Sequence, residues 1–205
     1  MLFAYSVVMA KRSGSSSRGK PKVHVLSSRV VYRGPLFRIT RDAVIEPSGI
    51  RVRRDIVRHT GSVVILAVDD RPGEPRILLE RQYRHTVQDH LWELPAGRID
   101  PGEKTLAAAK RELREETGYS AVQWKQILKY YASPGFVAEP MVLFLARGLC
   151  AGTAQPEADE VILKRWVSLS RSVRMATTGT IRDSKTISGI LWFDHAWRTG
   201  EVEKR

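Results

Sequence analysis

A chain of 205 residues can bury the core of one domain, with room for a small accessory segment. Hydrophobic residues at 42% and charged residues at 27% exclude a disordered or collagen-like chain. A single cysteine, Cys150, excludes an intrachain disulfide, so a reducing, cytoplasmic setting is the simplest reading. The formal charge of +12 points to anionic partners, whether a polymer or the phosphates of a small ligand.

The basic excess is thinly spread. Lys11, Arg12, Arg18, Lys20 and Lys22 crowd the start without an acid among them; smaller clusters fall at Arg51-Arg53-Arg54 and Arg81-Arg84. A dispersed polar surface explains this better than a nucleic-acid interface does. Residues 1–22 read as a disordered leader. Met1 to Ala10 is apolar, but positive charge follows the run, the reverse of a secretory signal, and the run is too short to span a bilayer. No membrane partner is expected.

Residues 23–59 read as a small antiparallel β segment. Val23-Val25, Val30-Tyr32, Phe37-Thr40 and Ala43-Ile45 are short β-like stretches divided by turn signals, and Arg51-Arg58 alternates behind an arginine-rich face. Residues 60–200 form the main domain. Ser62-Val68 is a β-branched run of the buried-strand type, followed by a loop over Asp69-Pro75 and a strand over Arg76-Gln82. Leu91-Leu94 is a short strand that Pro95-Ala96-Gly97 ends. The spacing predicts a helix over Lys104-Thr117, with Leu106, Ala109 and Leu113 facing the core and Gly118 as a left-handed cap. Strands are expected at Trp124-Ala132, Met141-Arg147 and Val161-Val167, and helices at Leu169-Thr177 and Ser184-Arg198. This is the α/β pattern of an α/β/α sandwich.

The chemistry lies at the first helix. Glu112, Glu115 and Glu116 stand at i, i+3 and i+4, on one face and in the last turn, where the helix dipole disfavours negative charge. A divalent cation would make that arrangement favourable, and carboxylate oxygens suit Mg²⁺. Arg111, one turn before Glu115, can hold its carboxylate. The five histidines show no metal-ligand spacing, and Cys150 has no partner in sequence.

Gly97, then five residues, Glu103, then seven, then Arg111-Glu112-Leu113-Arg114-Glu115-Glu116-Thr117-Gly118-Tyr119 matches every specified position of the Nudix signature. The chain therefore resembles the Nudix hydrolases, whose fold is an α/β/α sandwich with a mixed sheet. The resemblance implies Mg²⁺, with Mn²⁺ able to substitute, held by Glu112 and Glu116, by Glu115 as a third carboxylate and by the Ala96 carbonyl. Glu103 and Arg111 would brace the loop and helix.

Arg81-Gln82-Tyr83-Arg84, Trp92-Glu93-Leu94-Pro95-Ala96-Gly97 and Ser133-Pro134-Gly135, whose proline lies sixteen residues past Gly118, are similar to the ADP-ribose pyrophosphatase branch. That branch implies a nucleoside diphosphate sugar as substrate and a homodimer in which the N-terminal segment is exchanged between subunits. Arg84 would grip the phosphates or adenosine end, assisted by Arg58 or Arg54, since a guanidinium fork matches phosphate oxygens. Glu139, which follows the Ser-Pro-Gly turn, is a candidate to touch the ribose, with a plain strand-start carboxylate as the competing expectation. The catalytic base would be Glu160, with Glu157 second, on an acidic loop. Tyr32 and Phe37 are candidates to stack on adenine, with core packing as the competing expectation. The chain departs from some relatives in having no tryptophan before Trp92. A GDP-sugar or dinucleotide substrate stays open, as does a DNA-binding Nudix-like sensor, which would need an eroded signature and an appended domain.

Overall fold

The computed structural model describes residues 22–70, 73–155 and 161–202. Residues 1–21 of the expected leader, and Glu157 and Glu160 of the acidic loop, lie outside these residues. The elements run β1 (His24–Arg33), β2 (Arg38–Ile45), β3 (Arg51–Arg58), β4 (Ser62–Asp69), β5 (Arg76–Arg84), β6 (Asp89–Glu93), β7 (Ala96–Arg98) and α1 (Thr105–Thr117). They continue with β8 (Tyr119–Tyr131), β9 (Val137–Ala138), β10 (Pro140–Ala151), β11 (Leu163–Ser168), α2 (Leu169–Thr177) and α3 (Ser184–Thr199).

The larger sheet has the order β11-β5-β4-β10-β8, with β6 on β5 and β7 on β4. It is mixed: β4 and β10 run parallel, while β10–β8 and β4–β5 are antiparallel. β4 is buried on both faces. Val63, Ile65 and Ala67 pack with Ala108, Ala109 and Leu113 of α1, while Val64, Leu66 and Val68 pack with Ile190, Phe193 and Ala196 of α3. The period of two in a strand thus divides one apolar run between two helical layers. Each fully buried Val, Leu, Ile or Phe contributes about 1.5–3 kcal/mol, so these layers anchor the domain. Gly118 ends α1 with φ 77°, the left-handed cap its position calls for. Leu106 departs from expectation. It sits in the first turn and stays 38% exposed, while Ala108 is buried instead.

The smaller sheet has the order β1-β2-β3-β9. Its first two strands are longer than the residue pattern suggests. β1 is one strand with two bulges, where Val23-Val25 and Val30-Tyr32 read as separate stretches. Every residue of β1 is exposed, so this edge strand carries no apolar alternation to reveal its length. β2 is likewise continuous through Asp42. That buried carboxylate accepts from Ser28 Oγ at 2.6 Å and Arg58 Nη2 at 2.9 Å. The Ser28 hydrogen bond, with help from Thr40 and Arg58, holds its pKa below the usual carboxylate range.

Several elements of the main domain also differ from expectation, among them β7, β8 and β10. β7 is a further short strand, pairing Ala96 with Val64, where Pro95-Ala96-Gly97 reads as a strand end. β8 begins at Tyr119 rather than Trp124, and β10 runs on to Ala151, because the two strands continue as a ribbon from Arg147↔Gln123 to Ala151↔Tyr119. Most of the ribbon's residues are exposed or half-buried, so their side chains bear no core signal. Among the described residues no helix is long and apolar enough to cross a membrane.

Candidate active site

β7 and α1 bring the signature residues together. Gly97 is needed on steric grounds, since a Cβ there would overlap the carboxyl group of Glu112. One turn on, Glu116 is buried, and its Oε2 accepts from the Ala96 N–H at 3.1 Å. Two carboxylates from one helix face therefore flank the Ala96–Gly97 main chain.

Arg111 ties the loop to the helix. Its Nε and Nη2 donate to the two Glu103 oxygens at 3.1 and 3.0 Å, and Nη2 also reaches the Arg98 carbonyl at 3.0 Å. Its Nη1 donates to Glu112 Oε1 at 2.7 Å and Glu115 Oε2 at 3.1 Å. The Glu103 bond, followed by Glu112 and Glu115, raises the guanidinium pKa further above its ordinary value. The Arg111 bond in turn keeps the Glu103 carboxyl below its usual range. Among the described residues no three His, Cys, Asp or Glu side chains converge into a metal cluster. Glu112 and Glu115 turn to Arg111, and Glu116 turns to Ala96. The donor set still suits a hard divalent cation: carboxylate oxygens beside a main-chain segment, drawn close by a glycine.

Arg84 lies beside this centre, and the Glu116 charge acts on it. Its Nε and Nη2 grip Glu93 at 2.8 and 2.9 Å, a fork-to-fork pair. Two of its five N–H groups point to Glu93, and the side chain remains 38% exposed. Glu93 is buried, and its Oε2 also accepts from Lys185 Nζ. Lys185 is 3.0 Å from Asp183, the N-cap of α3. Glu93 stands inside the Trp92–Gly97 motif but was given no role there, and Asp183 and Lys185 lie in none of the motifs. The available signal was an ionisable residue between the apolar neighbours Trp92 and Leu94.

Arg58 donates to Thr40 Oγ1 at 3.2 Å and to Asp42. It pairs with Ala138 across β3–β9, which sets Glu139 nearby in the chain. Glu139 Oε1 accepts from Ser62 Oγ at 2.6 Å and lies 3.4 Å from His59 Nδ1. Arg54, four residues back along β3, is instead held at 2.7 Å by Glu46. Tyr32 and Phe37 do not join a core: they are 50% and 38% exposed and pack on each other with ring centroids 5.7 Å apart.

The fold and this loop–helix centre define a Nudix-type enzyme. The family model described as "NUDIX domain" matches residues 58–188. The chain is 38% identical over 184 residues to the ADP-ribose pyrophosphatase of Mycobacterium tuberculosis, covering 88% of this chain and 86% of that one. It is 31% identical over 169 residues to a methanol dehydrogenase activator of Bacillus methanolicus, covering 82% and 90%. A solved structure described as ADP compounds hydrolase superposes with a TM-score of 0.76 at 23% identity, over 90% of this chain and 98% of that one. This chain belongs to the Nudix hydrolase family.

Proposed function

We propose that the chain hydrolyses the pyrophosphate bond of ADP-ribose, and of related ADP-sugars, to AMP and ribose 5-phosphate in an Mg²⁺-dependent reaction. The observation that carries this is the pair Glu112 and Glu116 flanking the main chain at Gly97. Support for the substrate comes from the Arg81–Arg84, Trp92–Gly97 and Ser133–Gly135 motifs and from the likeness to the ADP-ribose pyrophosphatase of Mycobacterium tuberculosis.

Glu112, Glu116 and the Ala96 carbonyl would hold Mg²⁺, or Mn²⁺ in its place, with Glu115 as a further carboxylate. The bound cation supplies Lewis-acid neutralisation of the pyrophosphate oxygens and lowers the pKa of water. Arg111 keeps Glu112 and Glu115 in register. Arg84, with three N–H groups beyond those given to Glu93, binds phosphate oxygens; Arg58 assists, Arg54 flanks it, and Glu139 meets the ribose. Glu160, with Glu157 as second choice, takes the proton from the attacking water.

The working form is a homodimer in a cytoplasmic setting. β1 exposes Val25, Leu26, Val30, Val31 and Tyr32 by 42–61% of their surface, a strand edge that a second copy would cover.

The decisive experiment is Glu116→Gln assayed with ADP-ribose and Mg²⁺. A fall in kcat/KM of about a thousandfold is expected for loss of a group that organises transition-state charge. Activity within a few-fold of the parent would overturn the metal-site assignment. A panel of ADP-ribose, other ADP-sugars, GDP-mannose and NADH, ranked by kcat/KM, tests the substrate. A better rank for NADH or GDP-mannose would replace the ADP-ribose reading.

A further inference from the structure

The start of α3 reaches the centre at two levels. At the main chain, Asp183 Oδ2 accepts from the Thr186 N–H at 3.0 Å and the Thr186 hydroxyl at 2.6 Å, and that hydroxyl accepts from the Leu94 N–H at 2.8 Å. Thr186 is fully buried, and Gly189 lets α3 close on Leu94, since a Cβ there would stand 2.7 Å from Leu94 Cδ1. Leu94 is two residues from Ala96, so this latch fixes the segment that carries the Ala96 contact to Glu116. At the side chains, Lys185 and Arg84 share the buried Glu93 carboxylate.

We propose that Lys185 is a positioning residue for Arg84: by sharing Glu93 with it, Lys185 keeps Arg84 directed and available to the anionic substrate. The surroundings make this necessary. Glu93 stands across the β5–β6 ladder from Glu80, also buried, and Glu116 is close enough for its charge to act on Arg84. A pyrophosphate must approach beside these carboxylates. With Lys185 present, the buried Glu93 pairs with two cations, one of which, Lys185, is shared with Asp183 at 3.0 Å; around the closed Glu93–Lys185 pair charge is weakly screened. Without it, the wall behind Arg84 is one charge more negative, and Glu93 draws on Arg84 alone.

The inference rests on the pyrophosphate-hydrolase reading of this site, and the test separates the two. Lys185→Gln removes the charge while keeping a donor for Glu93; Lys185→Met removes both; Lys185→Arg keeps the charge. With ADP-ribose and Mg²⁺, the Gln and Met variants raise KM about tenfold, the size of one weakened charge-assisted hydrogen bond. Their kcat changes less than about twofold, because uniform binding is what is lost. The Arg variant recovers most of the loss. A Gln variant with the parent's KM, or an Arg variant as poor as Met, overturns the proposal. If the parent does not turn over ADP-ribose, the substrate reading fails by itself. Calorimetric binding of inorganic pyrophosphate with Mg²⁺ to the same variants then tests Lys185 alone. About tenfold weaker binding by the Gln and Met variants, recovered by Arg, supports the proposal; equal affinity in the Gln variant overturns it. Thermal melting accompanies each assay, and a Met variant that does not fold leaves the Gln and Arg pair to decide.

Discussion

The two sheets use their residues differently. In the larger sheet, β4 is enclosed between helical layers, and Val63 to Ala67 are wholly buried. In the smaller sheet, β1 is exposed along its length, and among the described residues of the first three strands only Thr40, Asp42 and Val44 are buried. Ion pairs across the β2–β3 hairpin mark it instead: Arg41 with Asp55 at 2.6 Å, Arg58 with Asp42 at 2.9 Å and Arg54 with Glu46, just past β2, at 2.7 Å. The two more exposed pairs, Arg41–Asp55 and Arg54–Glu46, contribute little stability, and only Arg58–Asp42 involves a buried carboxylate. The larger sheet is anchored by its own core, whereas the smaller one pairs with β9 and leaves the apolar residues of β1 exposed.

Three measurements bear on that contrast, from the largest expected effect to the smallest. Phe193→Ala empties a fully buried site in the larger domain and should cost about 3–5 kcal/mol in urea unfolding; Val31→Ala should cost well under half of that. Equal costs would erase the distinction between the sheets. Gly97→Ala forces its new methyl group against the Glu112 carboxyl and should lower kcat about a hundredfold, the scale of a misplaced catalytic group, with a smaller change in melting temperature. Full activity would mean that Glu112 can move without consequence. The pair Val25→Asp and Val31→Asp places charge on the exposed edge. The double variant should weaken self-association at least tenfold, on the order of the cost of a desolvated unpaired charge, with circular dichroism unchanged. A light-scattering mass equal to the parent's would remove β1 from the proposed dimer interface.

Much of the larger domain was legible from residue pattern. The β-branched run at Ser62-Val68 and the helices at Lys104-Thr117 and Leu169-Thr177 follow from periodicity and local propensity. The structure places these elements within a residue of those bounds. The smaller sheet was less legible. Asp42 interrupts the apolar alternation of β2, and its partners Ser28 and Arg58 lie fourteen and sixteen residues away. The edge strand β1 has no buried face to impose a pattern at all.

At the site, the signature from Gly97 to Tyr119 was complete in the linear order, because a helix converts i, i+3 and i+4 into one face. The Arg111–Glu115 contact follows from the same local geometry, whereas Gly97 meets Glu112 only because β7 packs beside α1. Tertiary structure alone decided that Lys185 meets Glu93 and that Thr186 meets Leu94, each pair separated by 92 residues. The reason is physical. Periodicity records which side chains are withdrawn from water, and so it reveals elements and their buried faces. It does not record which cation a buried carboxylate will find, since that depends on how the layers close on one another.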